Sequence, residues 1–259
     1  MSFCKDSKII SNIEISKNLF LMKLASPEIA KNVQPGQFIN IKCGDSQNAF
    51  LRRPISIFFA DSENIEIIYQ VKGKGTTLLA QKKPGEMLSI LGPLGKGFDT
   101  SLENSKIAVV GGGIGIFPLY FLLTKLTKCE RVSIIGFRSK DFVVLEKNFA
   151  EVSEHQIICT DDGTYGIKGL VVKPLEELFQ SKLDMVYTCG PHPMIKKVAE
   201  MCIEKDVRCQ VSMEQRMCCG IGACAVCVCK AKSNLPDKWD YLRVCKNGPV
   251  FEATQLIFD

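Results

Sequence analysis

The sequence predicts a multidomain β + α/β chain: an antiparallel β-barrel, a parallel α/β unit, and a small cysteine-rich unit at the carboxyl end. Three observations carry this expectation. Short β-branched and aromatic runs separated by turn signals fill residues 1–102. Strand-like and helix-like runs alternate over residues 103–208. Within residues 209–259, the stretch MCCGIGACAVCVCK (217–230) gathers five of the thirteen cysteines.

In the first unit the clearest strands are FINIK (38–42), ISIFF (55–59) and IIYQV (67–71), with turn signals at PGQ, CGDSQN, DSEN and KPGE. Short, regularly spaced strands of this kind suit a small antiparallel barrel. Gly92-Pro93-Leu94-Gly95 is expected to be a further turn. In the second unit KIAVV is a buried-type strand followed by a glycine run and the helix-like PLYFLLTKL. Strand and helix patterns then alternate through RVSIIGFR, KNFAEVSE, HQIICTDDG, VKPLEELFQ, DMVYTCG and PHPMIKKVAEMCIEK. That alternation specifies a parallel sheet with crossover helices.

Composition narrows the function classes. The chain has 259 residues, 46% hydrophobic and 24% charged, so a sizeable core needs no disulfide staples. The amino-terminal MSFCKDSKIISNIEISK lacks an apolar secretory core, so a cytoplasmic chain with reduced thiols is expected. Dense cysteine there points to metal or redox chemistry. The net charge of +5 is spread over scattered basic residues, which argues against nucleic-acid binding. Residues 107–124 (IAVVGGGIGIFPLYFLLT) carry no charge, but glycines and Pro118 in their middle favour strand, turn and helix over a membrane span.

Cys219, Cys224 and Cys227 form C-x4-C-x2-C, and Cys245 follows in RVCKNGPVF. This is the spacing of plant-type [2Fe–2S] sites, expected to take three thiolates from a glycine-rich loop and a fourth from a distant strand. Gly220, Gly222 and Ala223 let the loop turn sharply and aim N–H groups at sulfur. Cys218 and Cys229 are read as non-ligands. A structural zinc site would favour two C-x2-C knuckles, and only one such pair is present.

Gly111, Gly112, Gly113 and Gly115 follow a strand and open a helix, a setting in which backbone can approach a pyrophosphate. Cys189-Gly190-Pro191 ends a later strand on the same sheet edge. His192 beside it is given no catalytic role, because hydride transfer needs no acid or base. In the barrel unit Arg52-Arg53-Pro54-Ile55-Ser56 sets a cation and a hydroxyl on a strand, and Gly73-Lys74-Gly75-Thr76-Thr77 opens a helix suited to phosphate. A nicotinamide exchanges hydride, whereas an iron–sulfur cluster exchanges single electrons. A flavin does both, so a chain with the first two sites needs a flavin between them, and the barrel is the region left to hold it.

R-P-I-S, G-x-G-T, GGGIG and CGP together resemble the ferredoxin–NADP reductase superfamily. With EQRMCCGIGAC-x2-C, VCKNGPVF and TDDGTYGIKG (160–169), the chain resembles over its full length the electron-transfer subunits of type B dihydroorotate dehydrogenases. The resemblance implies an FAD-binding barrel (1–102), an NAD-binding α/β unit (103–208) and a [2Fe–2S] unit (209–259). It implies that Arg53, Pro54, Ile55 and Ser56 line the flavin. Ile68, Tyr69 and Gln70 would contact its ring system, and Gly75 and Thr76 would hold the FAD phosphates. Gly111, Gly112, Gly113, Gly115, Cys189 and Gly190 would form the NAD site, and Cys219, Cys224, Cys227 and Cys245 the cluster site. Cys218, beside the first ligand, departs from the expected pattern.

The whole chain is used by these three units, so an organic substrate must be handled by another protein. By resemblance that partner is an FMN-containing dihydroorotate dehydrogenase catalytic subunit in a 2+2 heterotetramer serving pyrimidine synthesis. Subunits of ferredoxin:NADP oxidoreductases, anaerobic sulfite reductases and sulfhydrogenases share the layout and form the alternative. No acidic ribose ligand follows the glycine loop, and Arg138 and Lys140 would admit a 2′-phosphate, so NAD against NADP stays open in the residues themselves.

Overall fold

The computed structural model describes residues 2–44, 49–234 and 238–258. Strands β1 (Phe3–Ser16), β2 (Leu19–Ala25), β3 (Phe38–Ile41), β4 (Arg53–Ala60), β5 (Asn64–Gln70) and β6 (Met87–Leu94) close a barrel in the order β1-β2-β5-β4-β3-β6. All its pairings are antiparallel. Ile39, Ile41, Ile57, Ile65, Ile67 and Ile90 are fully buried and pack in one core cluster. Their stiff branched side chains suit a pleated surface. A single turn, α1 (Pro27–Ala30), lies between β2 and β3, and α2 (Lys74–Ala80) follows β5.

The expected turn at 92–95 is corrected: β6 runs through Gly92 and Pro93 to Leu94. Barrel closure overrides the local turn signal. β3 pairs with β6 as far as Phe38 opposite Leu94, across an irregularity between Phe38 and Asn40. A Cβ on Gly92 would lie 2.6 Å from Ile39 Cγ2, so glycine marks a close backbone approach here. The turn expected over 43–48 falls largely outside the described residues.

The second sheet has the order β10-β9-β8-β7-β11-β12-β15. Its strands are β7 (Lys106–Gly112), β8 (Glu130–Phe137), β9 (His155–Thr160), β10 (Ile167–Lys168), β11 (Met185–Cys189), β12 (Arg208–Ser212) and β15 (Val250–Glu252). All pair in parallel except β15, which runs antiparallel to β12. The helices are α3 (Ile116–Lys125), α4 (Glu146–Glu151), α5 (Val172–Leu178) and α6 (His192–Glu204). The uncharged run at 107–124 is thus a strand, a tight turn and a buried helix. Among the described residues no helix is long and apolar enough to cross a membrane.

In the carboxyl segment β13 (Val228–Lys232) and β14 (Trp239–Arg243) form a hairpin, and α7 (Val244–Asn247) is a single helical turn before β15. Two seams hold the parts together. Phe58 of β4 stacks on Tyr120 and meets Phe117 edge-on, locking α3 to the barrel. On the other side all four residues of β3 are buried, because the barrel interior covers Ile39 and Ile41 and the carboxyl segment covers Phe38 and Asn40.

Candidate functional site: a cleft shared by barrel, sheet and cysteine loop

A cleft of about 900 Å³ opens where the three parts meet. Arg53, Pro54, Ile55 and Ser56 of β4 form one wall with Ile68, Tyr69 and Gln70 of β5. Thr76 lies beside them, Ile114, Gly115 and Cys189 face them, and the segment from Ser212 to Cys218 closes the end. Gly111, Gly112, Gly113, Gly75 and Gly190 do not line the cleft surface but shape the backbone behind it.

The two adjacent arginines have separate tasks. Arg52 also borders the cleft, but its guanidinium is spent on the carbonyls of Asn40 (3.2 Å) and Ser89 (2.9 Å) and on Ser89 Oγ (3.0 Å). Arg53 faces the cleft, with Nη1 donating to the Leu51 carbonyl at 2.6 Å. A Cβ on Gly75 would lie 2.8 Å from Arg53 Nε, so only glycine admits this cation against the start of α2. Thr76 Oγ1 accepts the N–H groups of Lys72 (2.9 Å) and Gly73 (3.2 Å), which fixes that turn. At the far end of α2, Asn12 Nδ2 donates to the carbonyls of Leu79 (3.1 Å) and Lys82 (3.0 Å). Asn12 Oδ1 accepts the Tyr69 hydroxyl at 2.8 Å, and burial pushes that phenol up, so it stays protonated as a donor. A fixed cation, a helix start and apolar walls are the chemistry that suits a flavin dinucleotide.

The strand order places the switch point between β7 and β11, whose carboxyl ends carry the two glycine loops. A Cβ on Gly115 would lie 2.5 Å from both the Cys189 carbonyl oxygen and Gly190 Cα. A Cβ on Gly112 would meet Met194 sulfur at 2.7 Å. The loops pack backbone to backbone. Desolvation pushes the Cys189 thiol up to about 12 despite a hydrogen bond with Ser212, so it offers a neutral contact and no nucleophile.

The cysteine loop bends through Gly220 (φ +71°), Gly222 (φ +85°) and Ala225 (φ +53°). Arg243 Nη1 ties it down at the Gly222 carbonyl, 2.7 Å away. The N–H groups of Ile221 (3.5 Å) and Cys224 (3.4 Å) point at Cys219 Sγ, and that of Cys245 at Cys227 Sγ (3.4 Å). Burial works to raise the Cys219 thiol, but these N–H groups overcome it and bring the thiol down to about 6. Burial and the neighbouring Cys227 push Cys245 up to about 12. These contacts associate Cys219 with Cys224 and Cys227 with Cys245. Two pairs with N–H groups aimed at sulfur fit a two-iron cluster, which takes two protein ligands at each iron.

Cys245 lies on the single turn α7, not on a strand as expected; that turn brings its Sγ back to Cys227 and leaves β15 free to join the sheet. Cys229 sits on β13 with its thiol toward the Leu242 carbonyl (3.7 Å), away from the loop. Cys218 borders the cleft. Sequence reasoning missed Asn12 and Asn40. Their only sequence signal is a polar residue in a strand that alternation alone would place on a solvent face.

A cleft of this make-up on this fold defines a flavin- and iron–sulfur-dependent oxidoreductase subunit of the ferredoxin-reductase type. Comparison with known proteins narrows the class. Residues 214–257 match the model of the iron–sulfur cluster binding domain of dihydroorotate dehydrogenase B. The chain is 37% identical over 264 residues, covering all of both chains, to the dihydroorotate dehydrogenase B (NAD(+)) electron transfer subunit of Desulforamulus reducens. It is 41% identical over 261 residues to the Fusobacterium nucleatum protein of the same name, with 97% of this chain and 98% of that one covered. A solved NADH-dependent reduced ferredoxin–NADP oxidoreductase, described for flavin-based electron bifurcation, superposes with a TM-score of 0.85 at 27% identity, over 98% of this chain and 90% of that one. The chain belongs to the family of dihydroorotate dehydrogenase B electron transfer subunits.

Proposed function

We propose that this chain links an FMN-containing dihydroorotate dehydrogenase catalytic subunit to NAD+ in pyrimidine (UMP) synthesis, using FAD and a [2Fe–2S] cluster. The observation that carries the reading is the single cleft walled by Arg53 and Ile68, by Gly115 and Cys189, and by Cys218. When bound, the flavin and the cluster supply the exchange between hydride and single-electron chemistry.

The chain's own residues bind and orient. Gly75 and Thr76 would hold the FAD phosphates, and Arg53 would line the flavin. Pro54, Ile55, Ser56, Ile68, Tyr69 and Gln70 present a mostly apolar wall to the ring system. Gly111, Gly112, Gly113 and Gly115 with Cys189 and Gly190 seat the nicotinamide nucleotide beside that wall. Cys219, Cys224, Cys227 and Cys245 ligate the cluster. The functional division falls at 1–102, 103–208 and 209–259; the last barrel strand ends at Leu94 and the second sheet begins at Lys106, whereas β12 (Arg208–Ser212) and β15 carry that sheet into the last segment.

The nucleotide is NAD, on the strength of the relatives' name. Exposed Arg138 and Lys140 follow β8 and exposed Asp161 and Asp162 follow the neighbouring β9, with the Asp162 N–H on the Arg138 carbonyl, so both signs of charge are present at this sheet edge. The assembly is a cytoplasmic 2+2 heterotetramer. The test is anaerobic co-purification with the partner, followed by dihydroorotate-dependent reduction of NAD+. Coupled turnover supports the reading. A ferredoxin-dependent partner and no turnover with dihydroorotate would move the function to the ferredoxin:NADP oxidoreductase type, which the structural likeness favours as the second reading.

A further inference from the structure

Asn40 is a fully buried amide on β3. It sits opposite Pro54 in β4, one residue from Arg53 in the cleft wall, and its carbonyl is held by Arg52 at 3.2 Å. Its side chain leaves the barrel. Nδ2 donates to the carbonyl of Cys219 at 3.3 Å, across 179 residues of sequence. Oδ1 has no hydrogen-bond partner among the described residues. The contact is tight as well as polar: a Cβ on Gly220 would lie 2.5 Å from Asn40 Nδ2.

A buried amide left half-satisfied is costly, and an apolar residue of the same size would fill this seam without that cost. Among the described residues the one side-chain hydrogen bond that Asn40 makes goes to Cys219, the first proposed cluster ligand. The loop around it is otherwise anchored toward its own segment, by Arg243 at Gly222. Asn40 is therefore the polar tie from the cleft wall to the cysteine loop.

We propose that Asn40 is a positioning residue for electron transfer: it holds the Cys219–Gly220 backbone against the barrel and so sets the cluster's placement relative to the flavin. This rests on the cofactor reading above. The chain supplies the geometry only. The electron passes between two groups that the proposed function already provides, and no other reactant is needed.

The test compares the anaerobically purified complex carrying wild-type chain, Asn40→Leu and Asn40→Ser. In each sample iron and flavin content, NADH-driven flavin bleaching, cluster reduction and the electron paramagnetic resonance spectrum of the reduced cluster are measured. Both variants should slow cluster reduction relative to flavin bleaching by roughly tenfold, the scale on which small misplacements of reacting groups act. They should also shift the resonance spectrum and speed iron release to a chelator. A wild-type cluster with an unchanged spectrum and unchanged relative rate in either folded variant overturns the inference, since mere core packing would lower thermal stability alone. Should Asn40→Leu fail to fold, Asn40→Ser carries the test. A wild-type chain without iron overturns the cofactor reading, and the inference with it.

Discussion

The nucleotide edge and the cysteine loop are both glycine-rich, yet they are built on opposite terms. At the edge glycine allows two backbones to touch: Gly115 against Cys189 and Gly190, with the site formed by main chain. In the loop glycine allows the chain to bend, at positive φ, so that side-chain thiols and backbone N–H groups face each other. The edge is braced by a parallel sheet paired on both sides. The loop is braced by Asn40 and Arg243, and the proposed cluster would add to that. The edge should therefore tolerate loss of its ligand, whereas the loop should not.

The largest effect should come from Cys245→Ser. It would remove one of the four proposed cluster ligands, so iron content and electron transfer to the partner should fall to background while NADH still bleaches the flavin. Iron assay and stopped-flow spectra on one sample read both, and full iron with full coupled activity would refute the ligand assignment. Gly115→Val attacks the other side of the comparison. Its side chain would overlap backbone atoms that cannot swing aside, so KM for the nucleotide should rise by roughly 10²-fold with iron content intact. Loss of iron in this variant would show that the two regions are coupled, contrary to the contrast drawn here.

Arg53→Ala should weaken FAD retention by about 1.5–3 kcal/mol, the range for a hydrogen bond to a charged group. Flavin release on dilution measures it, and undiminished retention would remove Arg53 from the flavin site. The smallest effect tests the sheet far from either loop. Arg131 hydrogen-bonds to Glu154 and holds that carboxyl down at about 2. A depressed carboxylate stabilises the fold above its unfolded value near 4.5, and the contribution is lost as pH falls toward about 2. Because the pair is partly exposed, Glu154→Gln should cost less than about 1 kcal/mol at neutral pH. It should also flatten the pH dependence of thermal stability in that acid window, which melting curves would show.

Much of this is legible in the residues alone. FINIK, ISIFF and IIYQV lie on barrel strands, KIAVV-GGGIG begins the second sheet, and the spacing from Cys219 to Cys227 marks the loop. Arg53 is separable from Arg52 only through a family resemblance. Gly92-Pro93-Leu94 carries the local signal of a turn and yet forms the end of a strand, because closing the barrel outweighs the preference of three residues.

The sequence by itself determined the class of each part, since strand and helix periodicity, glycine placement and thiol spacing act over a few residues and are written locally. Only the tertiary structure decided which parts face one another. Burial of Asn40 depends on a segment 179 residues away, the approach of Cys245 to Cys227 on a helical turn beyond the hairpin, and the capture of the Arg52 guanidinium on carbonyls of β3 and β6. Such contacts form when distant surfaces cover each other, and no local pattern records which surface will arrive.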